Sequence, residues 1–123
     1  MIHHLSIGVS DIAKARKFYD AALAPLGAKC LSEDASALGY GVYGARLWLL
    51  AADAVPHNIP GLHVCFEAGK RAQVDAFYAG ALGAGGRDNG KPGIRADYGA
   101  NYYAAFVTDP DGNRLEAYCG RKE

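Results

Sequence analysis

Three residues could share one piece of chemistry: His4 and His63, both in short apolar segments, and Glu116 near the end of the 123-residue chain. Two imidazoles and one carboxylate suit a divalent ion such as Fe(II), Mn(II), Ni(II) or Zn(II). Three protein ligands leave coordination positions open for water, a substrate or O₂. An internal repeat selects the pair of histidines. Shifting the chain by 59 positions lays residues 4–27 on 63–86, with seven identities in 24 positions. His4 meets His63, Ala13 meets Ala72, and Phe18-Tyr19 meets Phe77-Tyr78. Ala22-Leu23 meets Ala81-Leu82, and Gly27 meets Gly86. A second match, at an offset of 68, lays Gly44-Ala45-Arg46-Leu47-Trp48 on Gly112-Asn113-Arg114-Leu115-Glu116. The second half therefore carries about nine more residues, assigned to the Gly/Pro-rich stretch Arg87–Ala100. His57 sits in the linker and has no repeat counterpart.

Regular elements must position these groups. Each half opens with a strand, His4–Val9 and Leu62–Ala68, rich in apolar, β-branched and aromatic residues. A helix follows. Ile12, Ala15, Tyr19, Ala22 and Leu23 fall at helical spacing, with Ser10 as the expected N-cap and Gly27 past the end. The second helix is expected over about Lys70–Leu82, with Val74, Phe77, Tyr78 and Ala81 on its apolar side. Extended segments come next: Lys29–Leu31, Tyr40–Tyr43 and Arg46–Leu50, then Asn101–Thr108 and Arg114–Cys119. The order β-α-β-β-β occurs twice. The fold class is α+β, a single domain of two βαβββ modules, about 1–55 and 61–123, with helices covering one face of a mostly antiparallel sheet.

Strand parity then places the side chains. Leu5, Ile7 and Val9 form one face and His4, Ser6 and Gly8 the other; Leu62, Val64 and Phe66 oppose His63, Cys65 and Glu67. The apolar sets pack on the helices, and His3 points toward the helix side. Asp109-Pro110-Asp111-Gly112-Asn113 reads as a three-residue hairpin loop with a glycine bulge. That register sets Phe106 opposite Glu116 and Ala104 opposite Tyr118, and puts Tyr102 on their face. Curvature would gather His4, His63 and Glu116 in a concavity.

Composition removes other classes. Lys plus Arg and Asp plus Glu are 13 each, so no broad phosphate-binding surface is expected, and nucleic acid and anionic membranes are poor partners. No apolar run reaches the ~20 residues of a membrane span. The opening MIHHLSIGVSDI lacks the basic-then-apolar pattern of a secretory leader. Cys30, Cys65 and Cys119 are odd in number and form no CxxC pair, which points to a reduced cytoplasm.

The segments HLSIGVSDIAKARKFYDAALAPLG, LHVCFEAGKRAQVDAFY and YYAAFVTDPDGNRLEAY resemble the vicinal oxygen chelate superfamily. That superfamily contains glyoxalase I, fosfomycin- and bleomycin-resistance proteins and extradiol dioxygenases. The resemblance covers nearly the whole chain, and DPDGNRLE is its most specific part. It implies a glyoxalase-like domain whose paired modules form a cup, with helices outside, around one divalent metal ion held by His4, His63 and Glu116. It further implies a small oxygen-rich substrate, lyase, dioxygenase or thiol-transferase chemistry, and a homodimer in which modules can pair between chains. The fourth ligand position of the family falls on Trp48, which can neither coordinate a metal nor move a proton. That counts against glyoxalase I activity. Around the metal, Trp48 and Phe106 would form walls, and Tyr102 would donate a hydrogen bond or proton. Arg95 could pair with a substrate carboxylate or phosphate. The alternative function is a metal-free protein that sequesters an antibiotic-like small molecule.

Overall fold

Both halves of the repeat fold as the sequence order requires in a computed structural model that describes residues 1–55 and 59–122; His57 lies outside the described residues. The first module contains β1 (Leu5–Val9), α1 (Ile12–Leu23), β2 (Lys29–Glu33), β3 (Ala37–Gly41) and β4 (Leu47–Ala51). The second contains β5 (Val64–Glu67), α2 (Arg71–Gly83), β6 (Arg87–Ile94), β7 (Tyr103–Thr108) and β8 (Arg114–Cys119). Each module forms its own four-stranded sheet, ordered β1-β4-β3-β2 and β5-β8-β7-β6. In each, the first strand runs parallel to the last and the other pairings are antiparallel. The modules repeat in register as well as in order. Ser6 partners Trp48 in the first sheet, as Cys65 partners Glu116 in the second. The expected single curved sheet is thus two separate sheets within one chain.

The helices form where apolar residues recur on one face. Ala15, Phe18, Tyr19, Ala22 and Leu23 are buried on α1, and Val74, Phe77, Tyr78 and Ala81 on α2. Asp11, rather than Ser10, caps α1: its Oδ1 accepts the Lys14 N–H at 3.0 Å. The Ser10 N–H is engaged elsewhere, by Asp111 Oδ2 at 3.0 Å. Pro25 lies in the 3₁₀ turn that ends α1, and Gly27 closes that turn at φ +83°, a conformation only glycine adopts cheaply. At the start of α2, Gln73 Oε1 accepts the N–H groups of Gly69 and Lys70. Each helix lies on its own sheet, and the two helices also pack on each other. Gly80 permits that approach, since a Cβ there would lie 2.5 Å from the Ala21 carbonyl oxygen.

Two further details differ from expectation. The stretch Arg87–Ala100 is not a simple insertion: its first part is β6, the counterpart of β2. Gly90, Pro92 and Gly93 mask the strand pattern, and β6 accommodates them through two register shifts against β7. His3 is exposed and lies against His4, with Nδ1 atoms 2.9 Å apart, instead of pointing to the helix side. Among the described residues no helix is long and apolar enough to cross a membrane.

The hairpin Asp109–Asn113 is the joint between the modules. Thr108 pairs with Arg114 and Phe106 with Glu116, and Gly112 takes φ +87°. Asp109 is 2% exposed. Its Oδ1 accepts the N–H groups of Asp111 and Asn113, and its Oδ2 accepts Asn113 Nδ2 at 2.8 Å and the Tyr19 hydroxyl at 2.7 Å. Asn113 Nδ2 also donates to the Gly8 carbonyl at 3.1 Å. Tyr19 and Gly8 belong to the first module, so one turn of the second is bonded to a strand and a helix of the first. Burial, and then the adjacent Asp109 charge, push the Tyr19 phenol above its ordinary pKa, so it stays a donor. Tyr19→Phe leaves one oxygen of a buried carboxylate short of a donor and should cost about 2 kcal/mol. Urea unfolding should show that loss, while exposed Tyr43→Phe should change stability by less than about 0.5 kcal/mol. Equal stability of both variants would mean that the joint does not hold the modules together.

Candidate active site

The second sheet brings three groups to one point. Glu116, in the middle of β8, is only 2% exposed. Its neighbours are fixed by strand register: Cys65 on β5 and Phe106 on β7. His63 immediately precedes β5, and its Nε2 lies 3.0 Å from Glu116 Oε2. Tyr102 immediately precedes β7, and its hydroxyl donates to Glu116 Oε1 at 2.6 Å. One carboxylate thus carries an imidazole on one oxygen and a phenol on the other. Tyr103 goes the other way, donating to Asp75 Oδ1 at 2.6 Å beside Arg71 of α2. The parity that separates the two tyrosines is the one expected from the hairpin.

The electrostatics of this cluster are unusual. A buried carboxylate is costly unless it is paired. Among the described residues no lysine or arginine forms an ion pair with Glu116; His63 is its sole basic partner. A divalent cation held by His63 and Glu116 would supply the missing charge, and both side chains suit such an ion. Burial, and then the Glu116 carboxylate, push the Tyr102 phenol above its ordinary pKa, so the proton stays on its oxygen. Burial, and then Glu116, also push the Cys65 thiol up to about 12, which keeps it a thiol rather than a nucleophile at neutral pH.

The first sheet carries the other expected residues. His4 precedes β1 and is exposed, with its ring edge-on to that of His3. Among the described residues no three His, Cys, Asp or Glu side chains of one chain are placed to hold a metal. The expected meeting of His4 with His63 and Glu116 therefore does not occur within one chain. Its cause is the separation of the sheets: β1 and β5 are both edge strands and do not pair with each other. Trp48, on β4, is half-buried, and its indole covers Gly39, where a Cβ would fall 2.8 Å from the ring. It is the counterpart of Glu116 by register.

Aromatic groups surround the cluster. Tyr102 sits between Tyr118 and Tyr98, with ring centroids 4.3 and 5.3 Å away. Arg95 lies over Phe106, 5.3 Å from the ring centroid. Sequence reasoning placed Tyr118 on the face of Glu116 without giving it a role in the site, and it did not single out Tyr98. Tyr118 had a signal, since it stands two residues after Glu116 on the same strand face. Tyr98 had none, because it lies in an irregular turn.

Comparisons with known proteins agree on this architecture. No curated protein matches the sequence. Among solved structures, a glyoxalase/bleomycin resistance protein from Albidiferax ferrireducens T118 is similar at 29% identity, covering 98% of both chains with a TM-score of 0.85. A glyoxalase-related enzyme from Fulvimarina pelagi shares the fold at 16% identity, over 97% of this chain and 87% of that one, with a TM-score of 0.77. The fosfomycin resistance protein FosX from Listeria monocytogenes shares it at 15% identity, over 96% and 91%, with a TM-score of 0.72. A family model matches residues 1–117. With its duplicated modules and this match along nearly its full length, the chain belongs to the Glyoxalase/Bleomycin resistance protein/Dioxygenase superfamily.

Proposed function

We propose that the protein is a metal-dependent enzyme acting on a small oxygen-rich substrate, with a site completed between two copies of the chain. The buried Glu116, flanked by His63 and lacking a strong cation, carries this reading. His63 and Glu116 of one copy and His4 of a second would hold Fe(II), Mn(II), Ni(II) or Zn(II). Such an ion supplies Lewis acidity toward charge developing on chelated substrate oxygens. The chain's own residues do the rest. Tyr102 holds a proton at its phenol oxygen, where it can be shared with Glu116 or given to a substrate oxygen. Phe106 of one copy and, in the shared site, Trp48 of the second would limit the access of water.

The sheet edges support the second copy. β2 and β6 are blunted by charge, by bulges and, in β6, by Pro92. β1, sequence LSIGV, and β5, sequence VCFE, have no proline and only one charge between them. Among the described residues no strand pairs with their outer sides. An isologous dimer that sets β1 of one copy beside β5 of the other would satisfy both edges twice. It would also bring His4 to the edge that carries His63.

Two measurements test these points. Equilibrium dialysis of chelator-stripped protein against Zn(II) or Mn(II) should show about one ion per chain. His4→Ala, His63→Ala and Glu116→Gln should each weaken uptake at least about tenfold. A protein that takes up no ion would instead favour a metal-free sequestering role for the aromatic walls. Sedimentation should give a dimer. Leu5 N–H donates to the Arg46 carbonyl, so in the alternating ladder the N–H of Ser6 faces the free edge. Ser6→Pro should therefore yield a folded monomer, by circular dichroism and sedimentation, with metal uptake lost. A monomeric wild type with full uptake would refute the shared site.

A further inference from the structure

We propose that Arg95 receives an anionic group of the substrate, so that the substrate carries a carboxylate, phosphate or phosphonate away from its chelating oxygens. This rests on the reading that the Glu116 cluster is the substrate site.

The guanidinium is held in place. Arg95 is half-buried and follows the end of β6. Its backbone N–H donates to the Tyr102 carbonyl at 2.8 Å, and its carbonyl accepts the N–H groups of Tyr98 and Gly99. Its side chain folds back over β6, where Nη2 donates to the Lys91 carbonyl at 2.6 Å. Two glycines leave it room. A Cβ at Gly90 would lie 2.9 Å from the Phe106 ring and 3.3 Å from Nη2. A Cβ at Gly93 would lie 3.3 Å from Nη1. The guanidinium rests on Phe106, whose cross-strand partner is Glu116. The charge therefore lies one side chain away from the cluster, on the same sheet face.

Among the described residues no carboxylate forms an ion pair with Arg95. A guanidinium offers five N–H donors, and the hydrogen bond to Lys91 uses one. The planar fork that remains matches a carboxylate or phosphoryl oxygen pair. A freely solvated arginine would not need bare strand beneath it or an aromatic ring behind it. Tyr98, 69% exposed, stands next to Tyr102.

The test uses chelator-stripped full-length protein and ¹H–¹⁵N NMR at low salt, following Gly90, Gly93 and the Arg95 Nε–H. Benzoate and inorganic phosphate are the probes, with benzamide as the uncharged match for benzoate. At least one anion should shift these signals saturably, and benzamide should bind at least about tenfold more weakly than benzoate if benzoate is the one bound. Saturation by benzoate alone identifies a carboxylate, and by phosphate alone a phosphoryl group. Arg95→Gln should weaken the anion at least about tenfold, with Arg95→Lys partly restoring it. Gly93→Ala keeps the charge but displaces the fork, should also weaken binding, and decides the matter if Arg95→Gln fails to fold. Binding unchanged in the folded Arg95 and Gly93 variants, or no response to either anion, overturns the inference. Metal uptake without anion binding refutes this inference alone, and anion binding without metal uptake refutes the metal reading alone.

Discussion

The constraint on which the molecule depends is a buried carboxylate. Asp109 is almost fully enclosed, yet both of its oxygens are satisfied by donors. Two of those donors are backbone N–H groups of its own turn, which fix the hairpin that launches β8. Another is a hydroxyl from α1. Local turn chemistry and long-range packing are therefore the same set of bonds. If the hairpin opened, the register of β7 on β8 would be lost, and with it the placement of Tyr102 and Phe106 around Glu116. If Tyr19 moved, a charge would be left short of donors in the interior, an outcome costly enough to select one arrangement of the modules.

Much of this was legible in the sequence, because two periods overlap. The repeat located equivalent strands, and strand parity assigned their faces. The hairpin loop then fixed the register around Glu116, since Pro110 and Gly112 leave few ways to make the turn. The double role of Asp109 was not legible. Asx side chains are expected in turns for local reasons, and nothing in the spacing reveals a tyrosine 90 positions earlier reaching the same carboxylate. β6 was missed for a related reason. Its glycines and proline read as loop when only local propensity is weighed. The sheet tolerates them because β6 is an edge strand with bulges, and because the glycines make room for Arg95.

The candidate site was legible within a sheet and not between sheets. Parity brings His63, Glu116 and Tyr102 together because they lie on paired strands, where a shared face implies proximity. His4 shares that face only by analogy, in another sheet. Repeat equivalence shows that two residues occupy the same place in their modules, but it does not supply the operation that brings the modules face to face. The helices pack on each other instead, and His4 stays on a different sheet from His63 and Glu116. The separation of the histidines is thus what a helix-to-helix joint produces.

The duplication also bears on why the ionisable groups of the proposed site sit on one module. Register makes Trp48 the counterpart of Glu116, and Ser6 that of Cys65. A symmetric pair of modules would place a carboxylate at both positions, giving one group to take a proton and another to return it. Here the first module carries an indole, and that indole is seated by the absence of a side chain at Gly39. Trp48 and Gly39 are therefore spatially matched. Restoring a carboxylate at position 48 would leave an unfilled hollow over Gly39, and adding a Cβ at Gly39 would displace the ring. In the proposed enzyme, proton handling would be left to Glu116 and to Tyr102, whose hydroxyl is bonded to it. A centre with a single carboxylate favours chemistry in which one proton position suffices, with charge stabilisation carrying the larger share.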